Sequence, residues 1–180
     1  MPPTIELREV TSDNWRDCAA LAVAENQREF VTPVTYYLCL CHYGGVWRPL
    51  AAYVGDEIVG FVMWAVDPAD SSAWIGGLTV DEKQQRRGYG RAIVETLVHR
   101  LRDTQGCTSC ALSYTADNAV ARRLYAALGF VETGEMEDDE IVASLPAERM
   151  QRRLLARSDG FSRARFLVYC FSRAPVAQLD

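Results

Sequence analysis

Gln85-Arg86-Arg87-Gly88-Tyr89-Gly90 is the segment of this chain whose residue types and spacing most directly suggest chemistry. An apolar stretch, Trp74 to Val80, leads into it and is rich in residues that suit a pleated surface. A helical pattern leaves it, with Ile93, Val94, Leu97, Val98 and Leu101 recurring at the 3.6-residue period. A strand that turns through glycines into a helix leaves several backbone N–H groups without intrahelical partners. Those donors, backed by the positive end of the helix dipole, favour an anion of the diphosphate kind. Gly88 and Gly90 allow the backbone to approach such a ligand closely, and Arg86, Arg87 and Arg91 add charge. The pattern is not a dinucleotide-binding turn, because the Gly-x-Gly-x-x-Gly spacing fails around Val94. It is not a Walker loop either, since no Gly-Lys-Ser/Thr follows.

A second segment, Asn118-Ala119-Val120-Ala121-Arg122-Arg123-Leu124-Tyr125-Ala126-Ala127-Leu128-Gly129-Phe130, reads as a short amphipathic helix. Asn118 suits its N-cap and Gly129 the C′ position that ends it. Tyr125 shares a stripe with Ala121, Leu124 and Leu128. Composition therefore makes it a core tyrosine, whose buried phenol still requires a hydrogen-bond partner.

With these two segments in this order, the chain resembles the GCN5-related N-acetyltransferase family over about residues 5–145. The family's acetyl-CoA motif, Gln/Arg-x-x-Gly-x-Gly/Ala, stands here as Gln85 to Gly90. The resemblance implies an α/β fold, a mixed, splayed sheet flanked by helices on both faces. It also implies acetyl-CoA as co-substrate and direct attack of an amine on the thioester in a ternary complex. It assigns the pantetheine arm to the backbone of Leu78, Thr79 and Val80 and to Asn118. The phosphates fall to Gln85, Arg86, Arg87, Gly88, Tyr89, Gly90 and Arg91. Tyr125 is implied both to touch the cofactor and to act as the acid that protonates the leaving thiolate. A phenol of pKa about 10 is a reasonable donor to a thiol of pKa about 8.5 or higher. Many relatives carry a glutamate on the strand before the loop, where this chain has Gly76 and Gly77. A base acting through water is expected instead, and Glu25, Glu29 and Asp67 are the candidates on the acceptor side. His42 and His99 are poor ones, because His42 has no evident partner and His99 falls on the polar side of the long helix.

The run Val23 to Val31, with Gly60-Phe61-Val62-Met63, is similar to the bacterial spermine/spermidine branch of the family. Glu132, Glu135, Glu137, Asp138, Asp139 and Glu140 form an acidic run that would attract a polyamine, although a solvated turn is the commoner meaning of such a run. Other cationic amines, among them antibiotics and amino acids, and a non-catalytic acetyl-CoA-binding module are the alternatives.

Bulk properties agree with a globular enzyme. The chain has 180 residues, 49% of them hydrophobic and 24% charged, and a formal net charge of −5. Residues 146–180 carry seven arginines against three acids, so the preceding body is more acidic than the whole. An acidic body repels nucleic acid, whereas a small cationic substrate would be steered towards it. No apolar run or leader suggests a membrane, and a cytoplasmic homodimer is expected. The six cysteines, including Cys107-Thr-Ser-Cys110 and Cys39-Leu-Cys41-His42, lack the four-ligand arithmetic of a zinc site, so no metal is expected and reduced thiols are.

The elements that must position these residues read, in order, as β, α, α, three strands, α, β, α, β, β. A helix is expected after an N-cap at Thr11-Ser12-Asp13. One or two more end near Gly44-Gly45, and a hairpin turns at Gly55-Asp56-Glu57. One domain, residues 1–145, and a basic C-terminal extension, residues 146–180, are expected. The extension reads as a helix from Glu148 to Arg157 and an apolar-basic run from Phe161 to Phe171.

Overall fold

The computed structural model describes residues 4–68 and 71–151. Its elements are β1 (Glu6–Glu9), α1 (Trp15–Ala19), α2 (Val34–Gly44), β2 (Arg48–Val54), β3 (Glu57–Val66), β4 (Ala73–Val80), α3 (Tyr89–Gln105), β5 (Cys110–Thr115), α4 (Ala119–Ala127), β6 (Val131–Glu137), β7 (Glu140–Leu145) and α5 (Ala147–Gln151). The order is the one the periodicities imply. Short 3₁₀ turns at Glu25–Gln27 and Glu82–Gln84 complete it. The first helix starts later than its capping residues suggest, with Asn14 at the N-cap. Asn14 Oδ1 instead accepts the backbone N–H of Thr11, so the polar cluster closes the turn before the helix.

Seven strands make one sheet in the order β1-β2-β3-β4-β5-β7-β6. Every pairing is antiparallel except β4 with β5, which run parallel. Alternation along β3 distributes its side chains to two cores. Val62 and Trp64 join α3, with Ile93, Val94, Leu97 and Leu101 fully buried there. Phe61, Met63 and Ala65 join α1 and α2 on the opposite face, with Cys18, Val34 and Trp47. Each such aliphatic side chain contributes about 1.5–3 kcal/mol by leaving water. The sheet is thus mixed and covered by helices on both faces.

Two irregularities shape the middle of the sheet. β4 and β5 are in register only at Ala73–Cys110 and Trp74–Ala111, and beyond that point they part. The β3–β4 register also slips between Phe61–Thr79 and Met63–Gly76, giving β4 an extra residue. Gly77 supplies it, at φ +62°, a left-handed conformation that only glycine adopts cheaply. Gly77 is therefore part of the shape of this strand.

The packed unit continues past Leu145. Met150 is buried in the α3-side core, and its carbonyl accepts from Arg102 Nη1 at 3.3 Å. Arg149 Nη1 donates to the Gly129 carbonyl at 3.2 Å. The remainder of the expected basic extension, including the Phe161 to Phe171 run, lies outside the described residues.

Candidate active site

A cleft of about 580 Å³ runs through the opening between β4 and β5, within the range of small-ligand sites. At one end lies the glycine loop. Gly88 is the N-cap of α3 at φ +81°, and Arg86 is also left-handed at φ +62°. Left-handed residues just before a helix form the kind of backbone concavity that holds an anion. The first N–H with an intrahelical partner is that of Ala92, which donates to the Gly88 carbonyl at 3.1 Å. The N–H groups of Tyr89, Gly90 and Arg91 remain for a ligand. Packing does not explain Gly90. A Cβ there would meet only Leu124 and Val80, each at 3.7 Å, so the empty space serves something other than the protein's own interior. Arg86 and Arg91 line the cleft, and Arg91 pairs with Glu95 at 3.0 Å. A diphosphate fits this set of donors and charges.

Gln85 ties the loop to its surroundings. Its Nε2 donates to the Val80 carbonyl at 3.1 Å and to Gln27 Oε1 at 2.8 Å, linking β4 to the segment that follows α1. Ala22 reinforces the link by accepting from the Glu82 N–H at 2.7 Å. The N–H of Asp81 donates to Val59 in β3 at 3.0 Å. Ladder alternation then turns the N–H of Val80 to the other edge, the one β5 has vacated. That places a free backbone donor where β4 borders the cleft.

Tyr125 reaches the same space from α4. The helix is capped by Asn118, whose Oδ1 accepts the Ala121 N–H at 3.0 Å, and Gly129 ends it at φ +91°. Tyr125 is buried at 8% exposure between Tyr114 (ring centroids 5.7 Å) and Phe130 (5.9 Å). Burial raises its pKa, and the neighbouring Tyr37, Glu140 and Tyr114 raise it further, so the phenol keeps its proton across the working pH range. Tyr114 is itself held. Its hydroxyl donates to Glu132 Oε1 at 2.9 Å, and Arg122 grips the same carboxylate with Nε at 2.7 Å and Nη2 at 2.9 Å. Burial, then the Glu132 contact, pushes the Tyr114 phenol up to about 12. The Arg122 guanidinium, and next the Tyr114 hydroxyl, hold Glu132 below the usual carboxylate range.

Much of the remaining cleft wall is aromatic. Phe30, Tyr36, Tyr37, Trp47 and Trp74 line it, and Tyr37 stacks on Phe61 with planes 9° apart. A Cβ on Gly77 would meet the Tyr37 ring at 3.1 Å, and one on Gly76 would meet Trp47 at 3.3 Å. The rings occupy the room a β4 side chain would need.

The expected site residues divide accordingly. Leu78, Val80, Gln85, Arg86, Gly88, Tyr89, Gly90, Arg91, Asn118 and Tyr125 all line the one cleft. Thr79 does not line it, because strand alternation turns its buried side chain away, with Oγ1 donating to the Gly77 carbonyl. Arg87 is exposed and also lies off the lining. Of the three candidate acids, none lines the cleft. Glu25 pairs outward with Arg28 at 2.6 Å, and Glu29 is exposed. Asp67 is buried in the loop that closes onto Ser72, at the start of β4 where β4 and β5 are still paired. Residues not anticipated for the cleft are Gln27, Tyr37, Trp47 and, among the acids, Glu140 specifically. Glu140 accepts from Ser113 Oγ at 2.5 Å. Glu132, from the same acidic run, is committed to Arg122 and Tyr114.

The buried thiols have no evident part in this chemistry. Burial pushes Cys18 up to about 11 and Cys110 to about 12, keeping them protonated. No cluster of metal-ligating side chains occurs among the described residues, and no helix there is long and apolar enough to cross a membrane.

A parted parallel strand pair, a glycine-loop anion site and a buried phenol at one cleft define a coenzyme A-dependent acyltransferase. Residues 7–130 match the model of the acetyltransferase (GNAT) family, and the chain belongs to that family. It is an acetyl-CoA-dependent acyltransferase. It is 28% identical over 145 residues to the spermine/spermidine N(1)-acetyltransferase of Bacillus subtilis, an alignment covering 74% of this chain and 92% of that one. A ribosomal protein bS18-alanine N-acetyltransferase of Salmonella typhimurium is 36% identical over 83 residues, 41% of this chain and 55% of its own. The fold is similar to that of the Vibrio cholerae spermidine N-acetyltransferase solved with CoA and spermine, at TM-score 0.67 and 15% identity, covering 82% of this chain and 98% of that one. An aminoglycoside acetyltransferase bound to coenzyme A superposes similarly, at TM-score 0.69 and 19% identity, covering 83% and 98%.

Proposed function

We propose that the protein transfers acetyl from acetyl-CoA to a primary amine of a polyamine of the spermidine type. The observation that carries this reading is the cleft itself. Donor loop, Val80 amide and Tyr125 share it with an aromatic wall, and beyond Arg86 and Arg91 no basic side chain lines it. The B. subtilis relative supports the polyamine class.

In this reading the N–H groups of Tyr89, Gly90 and Arg91 hold the pyrophosphate, with Arg86 and Arg91 adding charge. The vacated edge of β4 pairs with the pantetheine arm, and the Val80 N–H faces the thioester oxygen. A donor already aimed at that oxygen stabilises the negative charge that develops on it. The aromatic wall receives the methylene segments of the acceptor and the flanks of its ammonium groups. Attack needs the free amine, and an alkylamine of pKa about 10.4 is mostly protonated at neutral pH, so the rate rises with pH. Tyr125 keeps its proton and donates to the leaving sulfur. Because burial makes this phenol a weaker acid than usual, its contribution is a strong hydrogen bond to the thiolate more than early proton transfer.

An amine with a single charge and an apolar body is the second reading, favoured by the same rings. The deciding experiment is acetyl-CoA consumption with a panel containing spermidine, spermine, an aminoglycoside, amino acids and arylalkylamines. Spermidine or spermine should give the highest kcat/KM. A preference of tenfold or more for any other class refutes the polyamine assignment, and no acceleration by any amine refutes acetyl transfer to amines.

A further inference from the structure

Three charged side chains line the cleft: Arg86, Arg91 and Glu140. Both arginines belong to the donor loop and the start of α3, and β4 contributes no carboxylate. Glu140 is therefore the one acid among the described residues on the cleft wall, and its position is built. It opens β7 and pairs in register with Thr115, on the part of β5 that has already left β4. Ser113, two residues earlier on β5, donates to Glu140 Oε2 at 2.5 Å and orients the carboxylate. Glu140 lines the same cleft as Tyr125, and its charge, after burial and Tyr37, raises the pKa of that phenol. Glu137 lies across the hairpin from it in register, with Asp138 alongside. No lysine or arginine among the described residues pairs with Glu140. A half-buried carboxylate held by a hydroxyl and flanked by other acids lacks a cation, and an ammonium would supply one.

We infer that Glu140, oriented by Ser113, is the anchor for the cationic head of the acceptor and hence a specificity-determining residue. The inference rests on the amine-acetylation reading above and adds the group that selects for charge. Glu140 is assigned as an anchor and not as the base. A carboxylate that binds the ammonium stabilises its protonated form, which is the opposite of what a base must do. The ammonium binds beside Tyr125, exchanges its proton with solvent, and attacks as the neutral amine. One proton thus leaves to water before attack. The nitrogen lone pair then forms the C–N bond as the C–S bond breaks, the second amine proton also passes to water, and the thiolate is protonated through Tyr125, which solvent reprotonates.

The test uses the full chain and Glu140→Gln, which keeps the size and the Ser113 contact. Spermidine is titrated by calorimetry into the CoA-saturated protein, and steady-state rates are measured with the amine found best in the panel. The expected result is a loss of spermidine affinity and a rise in amine KM of at least tenfold. kcat should stay within threefold, acetyl-CoA affinity and thermal stability should be unchanged, and Glu140→Asp should restore part of the loss. An unchanged amine KM overturns the anchor. So does a fall in kcat with KM unchanged, or loss of the pH-dependent rise in rate, which would make Glu140 the base. Glu140-dependent spermidine binding without acetylation of any amine would leave the anchor standing and overturn the acetyl-transfer reading. Absence of both would overturn both.

Discussion

Tyr125→Phe isolates the hydroxyl proposed to meet the leaving sulfur. The ring is held by Tyr114 and Phe130, with centroids at 5.7 and 5.9 Å, and phenylalanine keeps both contacts. The fold should therefore lose little, and the melting temperature should stay within a few degrees. The catalytic cost follows from what the hydroxyl does. A hydrogen bond to a charged group contributes about 1.5–3 kcal/mol, which converts to a fall in kcat of about 10- to 150-fold. The thioester sulfur of the ground state carries no such charge, so acetyl-CoA affinity should be nearly unchanged. The pH profile adds a second check. An ordinary phenol would lose its proton near pH 10, and the rate would fall there. Burial, with Tyr37, Glu140 and Tyr114 nearby, raises the Tyr125 pKa, so the wild-type rate should keep rising to pH 10 as the amine deprotonates. The assay is thiol release from acetyl-CoA under saturating amine between pH 6.5 and about 10, with CoA binding measured in parallel. A kcat within twofold of wild type, or an equal loss of acetyl-CoA affinity, refutes the acid role.

Three other perturbations separate shape from chemistry. Gly77→Ala forces a side chain into a left-handed position and against the Tyr37 ring at 3.1 Å. It should cost about 1–2 kcal/mol or more, a fall in melting temperature of about 2–8 °C, with reduced activity from the displaced ring; unchanged stability would mean the bulge relaxes freely. Gly90→Ala meets only ordinary contacts at 3.7 Å at a position where the motif admits alanine, so stability should hold or rise by up to about 1 kcal/mol with acetyl-CoA affinity nearly unchanged. Gly88→Val, at φ +81°, should instead weaken acetyl-CoA binding at least tenfold. Normal cofactor affinity in the Gly88 variant would move the phosphate site elsewhere. Glu132 has a folded pKa below its unfolded value, because of Arg122 first and Tyr114 second. Its stabilising contribution is therefore complete above about pH 4.3 and disappears as pH falls through the lower folded value. Glu132→Gln should be less stable than wild type to urea at pH 7 and converge with it on acidification; a constant difference at all pH values contradicts the linkage.

Much of the donor half was legible in one dimension because its signals are local. Glycine spacing, helical period and capping residues act over a few neighbours, so Gln85 to Arg91 and Asn118 to Gly129 could be placed without knowing what they pack against. The acceptor half was read less well. Glu25 and Glu29 looked suitable by charge, yet the 3₁₀ turn at Glu25–Gln27 sends the acids to solvent and Gln27 to Gln85. Side-chain direction in so short a turn depends on its tertiary contacts and not on any period.

By itself, the sequence determined the order of elements, the glycine loop and a tyrosine on the inner stripe of a later helix. Those follow from backbone sterics and local hydrophobic period; that the tyrosine meets the cofactor was implied only by the family resemblance. Only the tertiary structure decided that β4 and β5 part after Trp74, that Gly77 carries a bulge, and that α2 and Trp47 fill the space beside it. It also decided which acid of the run reaches the cleft. Glu132 pairs with Arg122 while Glu140 meets Ser113, because hairpin register determines which residues of β6 and β7 lie beside α4 and β5. Pairing between distant strands sets that register, and no local pattern encodes it.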